Sequence, residues 1–298
     1  MENHLIINTC PVCKGEKFKP SIAVPDWLVS NETFNIVACE SCDFRFIENA
    51  PLPENAGKYY ETEEYVEHSD TKKGLVNIIY HFARKRMMKY KQRLISDVTI
   101  GKKLLDIGSG SGYFLNYMKN QNYNVTGVEI SDKAVKLCKE KYDITAFSPT
   151  QLINGEISES FDVVTMWHVF EHVYSYDEYF ERLHSGLSDN GTLIIAMPNH
   201  QCFEASYYGK YWNGYDTPRH LWHFVPDTFR RFVEARGFKL VKMKKLPLDP
   251  FYNSMISASY KKRFTFLPFT FFIGLISWFM ALFSFQKSSS IVYFLQKK

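Results

Sequence analysis

The stretch Leu104-Leu105-Asp106-Ile107-Gly108-Ser109-Gly110-Ser111-Gly112 decides the fold. Lys103–Ile107 reads as a short buried strand, and Tyr113–Asn120 as the helix that follows it. Glycines at alternate positions between the two let the backbone turn tightly and approach a ligand, and a helix opening on such a loop offers free N–H donors. A Gly-x-Gly turn alone is only a tight strand-to-helix connection, but its neighbours say more. Glu129 ends the next strand, 21 residues after Gly108, where a doubly wound nucleotide-binding sheet places the carboxylate that holds ribose hydroxyls. Asp106 lies inside the strand. A carboxylate there would repel a pyrophosphate and suits a ligand with an amino group. Position 113 is Tyr, so the third glycine of Gly-x-Gly-x-x-Gly is missing and NAD is disfavoured on both charge and spacing.

Outward from this loop, strand and helix patterns alternate. Asn124–Glu129 reads as a strand, Lys133–Tyr142 as a helix, Phe161–Met166 as a strand and Tyr176–Leu187 as a helix. Gly191–Met197 is a strand introduced by the turn Asp189-Asn190-Gly191, Pro226–Arg236 a helix ended by Gly237, and Phe238–Lys244 a strand. The alternation predicts an α/β fold, a doubly wound, mostly parallel, seven-stranded Rossmann-like sheet with helices on both faces. Upstream, residues 72–97 read as a basic amphipathic helix, preceded by a Pro/Glu/Tyr-rich linker or irregular cap at 51–71. The expected organisation is a zinc-ribbon-like module at 1–50, a linker and helix at 51–98, and an α/β domain at 99–298 interrupted by an apolar insertion at about 251–287.

The run from Leu104 to Leu115 resembles the first motif of class I S-adenosylmethionine-dependent methyltransferases, and Val128-Glu129-Ile130-Ser131 resembles their second. Phe161–Val173 is similar to their fourth-strand motif and Leu187–Asn199 to the fifth, with Asp189-Asn190 where many members carry Pro-Gly. A bacterial branch of these enzymes is similar also in its Pro-Arg-His-Leu-x-His-Phe segment and in an N-terminal Cys-x-x-Cys module. The resemblance implies that S-adenosylmethionine is the cofactor. Asp106, Gly108, Ser109, Gly110 and Gly112 would hold its methionine part and Glu129 its ribose. Ile130, Trp167 and His168 would lie beside it, and the stretch around Phe147-Ser148 would meet the adenine.

Two histidine-bearing stretches are candidate chemistry. His168-x-x-Glu171-His172 follows the fourth strand. A histidine there could deprotonate a hydroxyl or amine before methyl transfer. The ubiquinone-type and small-RNA methyltransferases that the segment resembles carry a metal-binding Glu-x-x-Glu-His at this place, but here His168 replaces the first Glu. Glu171-His172 could equally only support the loop. Tyr211–Phe224 is aromatic, with Asp216, Arg219, His220 and His223 interleaved. It reads as an acceptor-site wall, or as a buried cap in which Asp216 and Arg219 pair only with each other. His168, His220 and His172 are the candidate bases.

Cys10-x-x-Cys13 and Cys39-x-x-Cys42 form two knuckles that together supply four thiolates for a structural, tetrahedral zinc. A module this small has little core, so metal is expected to fold it. Phe264–Phe285 holds 22 residues without a charge, flanked by Lys261-Lys262-Arg263 and Lys287. It reaches spanning length, but Pro268 and Gly274 interrupt it and 288–295 reads as the antiparallel last strand of the sheet. A helix lying on an anionic membrane surface, or buried in a dimer interface or under the cap, is therefore expected.

A net charge of +4 on 298 residues gives no case for nucleic acid as a partner, and 45% hydrophobic residues exclude global disorder. The start of the chain lacks the basic and apolar pattern of a signal peptide, and unpaired cysteines suit a reducing cytoplasm. The expected function is methyl transfer to an oxygen or nitrogen of a small-molecule, sugar, glycan or lipid-linked acceptor, by a cytoplasmic enzyme that can associate with a membrane and can form a homodimer. The rival is a non-catalytic, zinc-bearing interaction protein on a cofactor-binding scaffold.

Overall fold

The computed structural model describes residues 4–60, 75–261 and 267–298. In chain order the strands are β1 (His4–Leu5), β2 (Phe18–Pro25), β3 (Thr33–Cys39), β4 (Arg45–Ile47), β5 (Ala50–Pro51), β6 (Lys103–Ile107), β7 (Asn124–Val128), β8 (Ala146–Phe147), β9 (Phe161–Trp167), β10 (Leu187–Pro198), β11 (Trp222–His223), β12 (Phe238–Lys245) and β13 (Ser290–Lys297). The main sheet runs β12-β13-β10-β9-β6-β7-β8. Its five strands from β10 to β8 are parallel, and β13 is antiparallel to both β10 and β12. This is the expected doubly wound, mostly parallel Rossmann-like sheet. Central strands buried on both faces explain the near-continuous apolar runs of β9, β10 and β13. The order reverses between β6 and β9, so the carboxyl ends of those strands flank the crevice where such sheets bind ligands.

Three local expectations change. The basic helix is described over Leu75–Ser96, while residues 61–71 of the expected linker lie outside the described residues. Its earlier part is ordered into a helical turn at Pro53–Ala56 and a 3-10 turn at Gly57–Tyr59. Asp189-Asn190-Gly191 is not a turn before a strand. It is an irregularity inside β10, whose pairing with β9 shifts register between Leu187 and Thr192. A Cβ on Gly191 would lie 2.6 Å from Leu187 Cγ, so the chain folds back on itself too closely for a side chain there.

The N-terminal segment shares its core with the rest of the chain. A second sheet, ordered β11-β4-β3-β2, takes Trp222–His223 as its edge strand. Phe44 packs 4.6 Å from Phe224, between ring centres, and stacks on Trp222. Phe224 in turn meets Phe170, Phe229 and Phe232 of the main domain. The apolar area that a module of 50 residues lacks is thus supplied by the aromatic stretch 211–224, most of whose large side chains are buried here.

Arg219 fastens the same junction. Its guanidinium donates to Asp216 Oδ1, to the Tyr59 carbonyl and to Asp26 Oδ1 at 2.8 Å. Asp26 is fully buried and also accepts from the backbone N–H groups of Leu28, Val29 and Ser30. Arg219 and Asp216 therefore do not pair only with each other. They hold the N-terminal sheet to the aromatic stretch.

Between β12 and β13 the chain inserts two helices, Asp249–Tyr260 and Leu267–Phe283. Seventeen residues span about 25 Å, and among the described residues no helix is long and apolar enough to cross a membrane. Pro268 sits in the first turn, where its missing N–H has no helical partner to lose. Gly274 gives close packing, since a Cβ would lie 2.9 Å from the Phe251 backbone. Neither breaks the helix, contrary to the sequence expectation. Its buried side sets Ile273 among small and hydroxylic residues (Thr270, Gly274, Ser277, Ala281), and its exposed side carries Phe269, Phe271, Phe272, Leu275, Phe279, Leu282 and Phe283.

Removing Arg219 while leaving Asp26 buried strands a carboxylate without its cation, at a cost of about 3–5 kcal/mol. Arg219→Met is therefore expected to lower the urea midpoint markedly. An exposed pair such as Lys139–Asp143 is expected to contribute under about 1 kcal/mol when broken. Equal effects of the two changes would contradict the junction described here.

Candidate functional site

Three glycines with positive φ, Gly108 (73°), Gly110 (54°) and Gly112 (80°), turn the chain from β6 into the helix Tyr113–Lys119. A Cβ on Gly108 would strike Val169 Cγ2, and one on Gly112 would lie 2.4 Å from Cys138 Sγ. At Gly110 a Cβ would meet nothing within 4 Å. The first and last glycines are needed for the protein's own packing, and the middle one leaves backbone facing open space. Glu129, just after β7, accepts from the N–H of Gly110 at 2.7 Å and of Ser131 at 3.0 Å. Its carboxylate is thereby fixed at the lip of the loop. Ile130 beside it is 83% exposed, an apolar wall with no protein partner. Phe147 ends β8, and Ser148 caps the helix Pro149–Ile153.

Asp106 is 3% exposed and accepts from Thr165 Oγ1 at 2.5 Å. Burial pushes its carboxyl up to about 7, against the hydrogen bond from Thr165 and the charge of Lys91. Ser109 Oγ and Trp167 Nε1 are buried without a hydrogen-bond partner. The cradle thus offers one carboxylate deep in the crevice and one at its lip, with unused polar atoms between them. That set fits a ligand with an ammonium group and vicinal hydroxyls.

Sequence reading missed Lys91. The helix Leu75–Ser96 carries its ammonium to 4.4 Å from the centre of the Trp167 ring and 5.4 Å from that of Phe114. Burial lowers its pKa, opposed by Asp106 and Asp249. The signal available was one basic residue among many on a helix face, which spacing does not single out.

The histidines converge on Glu171, which is 1% exposed, with both carboxylate oxygens lacking a hydrogen-bond donor. His168 takes a left-handed backbone (φ 57°). Its Nδ1 lies 3.5 Å from Glu171, and its Nε2 3.1 Å from Asp249 of the apolar insertion. Burial opposes the charged ring, but these two acids outweigh it and raise its pKa to about 10. Held between two acids, His168 favours its charged form, in which neither ring nitrogen is free to accept a proton. His220 donates from Nδ1 to the Gly214 carbonyl, which directs Nε2 toward Glu171 (3.9 Å) and Asp216 (3.8 Å). His172 packs edge-to-face on His220 with centroids 4.7 Å apart, and its Nδ1 meets the Tyr60 hydroxyl. Burial, reinforced by His220, lowers the His172 pKa to about 4. Ligand atoms of Glu171, His172 and His220 lie within 4.8 Å of one another, so the trio could serve proton transfer or hold a divalent ion.

The four paired cysteines also meet. Cys10 and Cys42 sulfurs are 3.6 Å apart, Cys13 and Cys39 3.5 Å, and none forms a disulfide. Tetrahedral zinc with bonds of about 2.3 Å requires sulfurs about 3.8 Å apart, so the cluster is already near the geometry the metal needs.

Residues 79–243, more than half of the chain, match a family model described as a methyltransferase domain. The mitochondrial ubiquinone biosynthesis O-methyltransferase of Schizosaccharomyces pombe is 32% identical over 103 residues, covering 32% of this chain and 38% of that protein. The ubiquinone biosynthesis O-methyltransferase of Pelagibacter ubique is 28% identical over 136 residues, covering 41% and 55%. The chain thus spans about two fifths to somewhat over half of these relatives' length. Among solved structures, phosphoethanolamine N-methyltransferase 2 of Haemonchus contortus with S-adenosyl-L-methionine aligns with a TM-score of 0.52 at 15% identity, covering 85% of this chain and 62% of that one. Magnesium protoporphyrin IX methyltransferase of Synechocystis gives 0.51 at 13%, covering 80% and 97%. At those identities the likeness is one of fold.

The glycines separate packing from ligand contact. Gly112→Ala forces both a left-handed alanine, about 1–2 kcal/mol, and a clash with Cys138, and is expected to lower urea stability by more than that. Gly110→Ala is expected to incur only the backbone cost. Larger destabilisation from Gly110→Ala would show that its open side is not open.

Proposed function

The chain belongs to the class I S-adenosylmethionine-dependent methyltransferases, and from that premise we propose that it methylates an oxygen or nitrogen nucleophile on a small acceptor with an apolar body. The observation that carries the reading is the cradle of Asp106, the Gly108–Gly112 loop and Glu129. When bound, S-adenosylmethionine supplies an electron-poor sulfonium methyl. Asp106 would take the amino group, Glu129 the ribose hydroxyls, and Lys91 the carboxylate of the methionine part. Gly108, Ser109, Gly110 and Gly112 would line its path, with Ile130, Trp167 and His168 as walls.

Proton removal falls to His220. Its Nδ1–H is committed to a carbonyl, its Nε2 is left as acceptor, and the imidazolium formed there faces two carboxylates within 4 Å. His172 would orient that ring. A second reading, favoured by the orphaned oxygens of Glu171, gives Glu171, His172 and His220 to a divalent metal. Its residues fit by type and distance. Zinc is assigned to Cys10, Cys13, Cys39 and Cys42 as a structural ion.

Two observations support this reading of the acceptor. The curated relatives are named O-methyltransferases, which favours oxygen. The outward aromatic face of Leu267–Phe283, with Lys261 and Lys287 at its ends, favours a lipid-linked or apolar acceptor met at a membrane surface. A face so rich in exposed rings is unusual for water. Flotation with anionic liposomes is the check. Protein that stays at the bottom, or that instead sediments as a dimer, removes the membrane.

Release of S-adenosylhomocysteine across an acceptor panel tests the activity. Glu129→Ala is expected to weaken cofactor binding by tenfold or more. His220→Gln is expected to lower turnover 10²–10⁴-fold with cofactor affinity kept. No cofactor binding by folded, metal-loaded protein would sink the enzyme reading in favour of an interaction module. Dialysis against a chelator, followed by metal analysis, separates the two uses of the histidine trio. An ion lost from His220→Gln but retained by wild type speaks for the metal. Affinity also depends on pH. Burial pushes the Asp106 carboxyl up to about 7, and a cationic ligand prefers the carboxylate. Calorimetry is expected to show affinity falling toward tenfold per pH unit below 7, and Asp106→Asn should flatten that slope.

A further inference from the structure

A cavity of about 480 Å³ that the methyl-transfer reading does not use lies among β4, the end of β10 and the end of the apolar insertion. It is lined by Arg45, His200, Gln201, Tyr215, Gln286 and Lys287 among others, and no acid lines it. Arg45 comes from β4 of the N-terminal sheet, His200 and Gln201 follow β10, and Gln286 and Lys287 close the apolar insertion. The three parts of the chain meet only because the main sheet brings β10 and β13 side by side. Asn199 ties the wall together, donating to the carbonyls of Gln286 and Ser288.

Two donors or acceptors in this wall have nothing to bond. His200 is 8% exposed, and its Nε2 lacks a hydrogen-bond partner, as does the buried Nε of Arg45. The nearby His223 is also buried with an unpartnered Nε2, its ring in electrostatic contact with both His200 and His220. The charge is lopsided as well. Arg45 pairs with the exposed Asp43 at 3.4 Å, outside the lining, and hydrogen-bonds Tyr215 within it, and Lys287 adds a second cation. Buried polar groups are normally satisfied, and a cationic, acid-free recess with orphaned N–H groups is satisfied by an oxyanion.

We propose that this cavity binds an oxyanion, a phosphate or carboxylate, and so seats the anionic end of the acceptor while the histidine trio faces its nucleophile. The inference rests on the proposed methyl transfer only for the word acceptor, since the anion site stands on its own geometry. Arg45 supplies the charge and the fork, His200 a hydrogen bond from within, and Lys287 a cation at the rim. The same chemistry could come from a soluble anionic substrate or from a lipid headgroup at the surface that the apolar insertion touches.

Titration of the full, metal-loaded chain with inorganic phosphate, followed by the ring resonances of His200, reads the site without any turnover. A saturable shift is expected. Lys287→Gln, an exposed change that leaves the fold alone, should weaken it about two- to threefold, and Arg45→Gln tenfold or more, with a thermal melt to confirm folding. Vesicles of phosphatidylglycerol and of phosphatidylcholine distinguish the sources. Preference for the anionic vesicles lost in Lys287→Gln, alongside phosphate binding, names a headgroup. Phosphate binding with vesicle behaviour unchanged names a soluble anion. No saturable shift of His200, or one that Arg45→Gln and Lys287→Gln both leave unchanged, overturns the proposal. Because phosphate is the probe, absence of methyl transfer would not affect this result, and absence of phosphate binding would leave the cofactor experiments standing.

Discussion

A single buried carboxylate organises the ligand end of this molecule. Glu171 has almost no contact with water and no hydrogen-bond donor of its own, and burial alone would make it a neutral acid. His168, His220 and His172 reverse that and hold its pKa below the ordinary value. Three rings from two distant stretches are therefore gathered around one anion, with His168 as its charged partner. Their arrangement follows from the need to offset a charge that the fold has taken out of water. The backbone reinforces it, since Leu221 N–H donates to the Glu171 carbonyl. The end of β9 and the aromatic stretch are thereby held in one register.

That register explains why the aromatic stretch has two duties. Its rings, Trp212, Tyr215, Trp222 and Phe224, are core, and its edge strand β11 pairs with β4. His220 is turned toward the site, with Asp216 beside it. Arg219, one residue earlier, points the other way into the buried acids of the junction. The N-terminal sheet is thus not a loose appendage but a wall against which His220 is set. Its four cysteines gather within the same N-terminal segment, and Phe44, two residues after Cys42, packs on Trp222 and Phe224 of the aromatic stretch.

The main sheet was legible because its signals are local. Glycines with positive φ, an acid at the end of β7 and apolar runs for buried strands are properties of consecutive residues. The antiparallel last strand was legible too, read over 288–295 and found at Ser290–Lys297. What could not be read is what depends on contacts between distant positions. Asp26 and Arg219 lie 193 residues apart and look like ordinary surface residues in a sequence. Lys91 is one of many basic residues on its helix, and only the packing of that helix on Phe114 and Trp167 selects it. His168 was read as a base from its place after β9. Asp249, which changes its role, belongs to an insertion 81 residues later whose position no spacing predicts. Pro268 and Gly274 were read as breaks because their cost in a helix interior is local, whereas a first-turn position and a close helix contact remove it.

The Asp249–His168 contact also joins the apolar insertion to the chemistry. The insertion begins at Asp249, its second helix turns large rings outward and small groups inward, and its end returns through Lys287 to β13. Of the two acids that keep His168 charged, one belongs to β9's own loop and the other to this insertion. Moving the insertion away from the sheet would leave the cation with Glu171 alone, and Glu171 is shared with two further rings. The charge at the end of β9, beside the cradle of Asp106 and Lys91, is therefore set partly by where the insertion sits. An exposed aromatic face and a residue that sets the field beside the cofactor cradle are carried on one pair of helices, and the Asp249–His168 hydrogen bond joins the insertion to the end of β9.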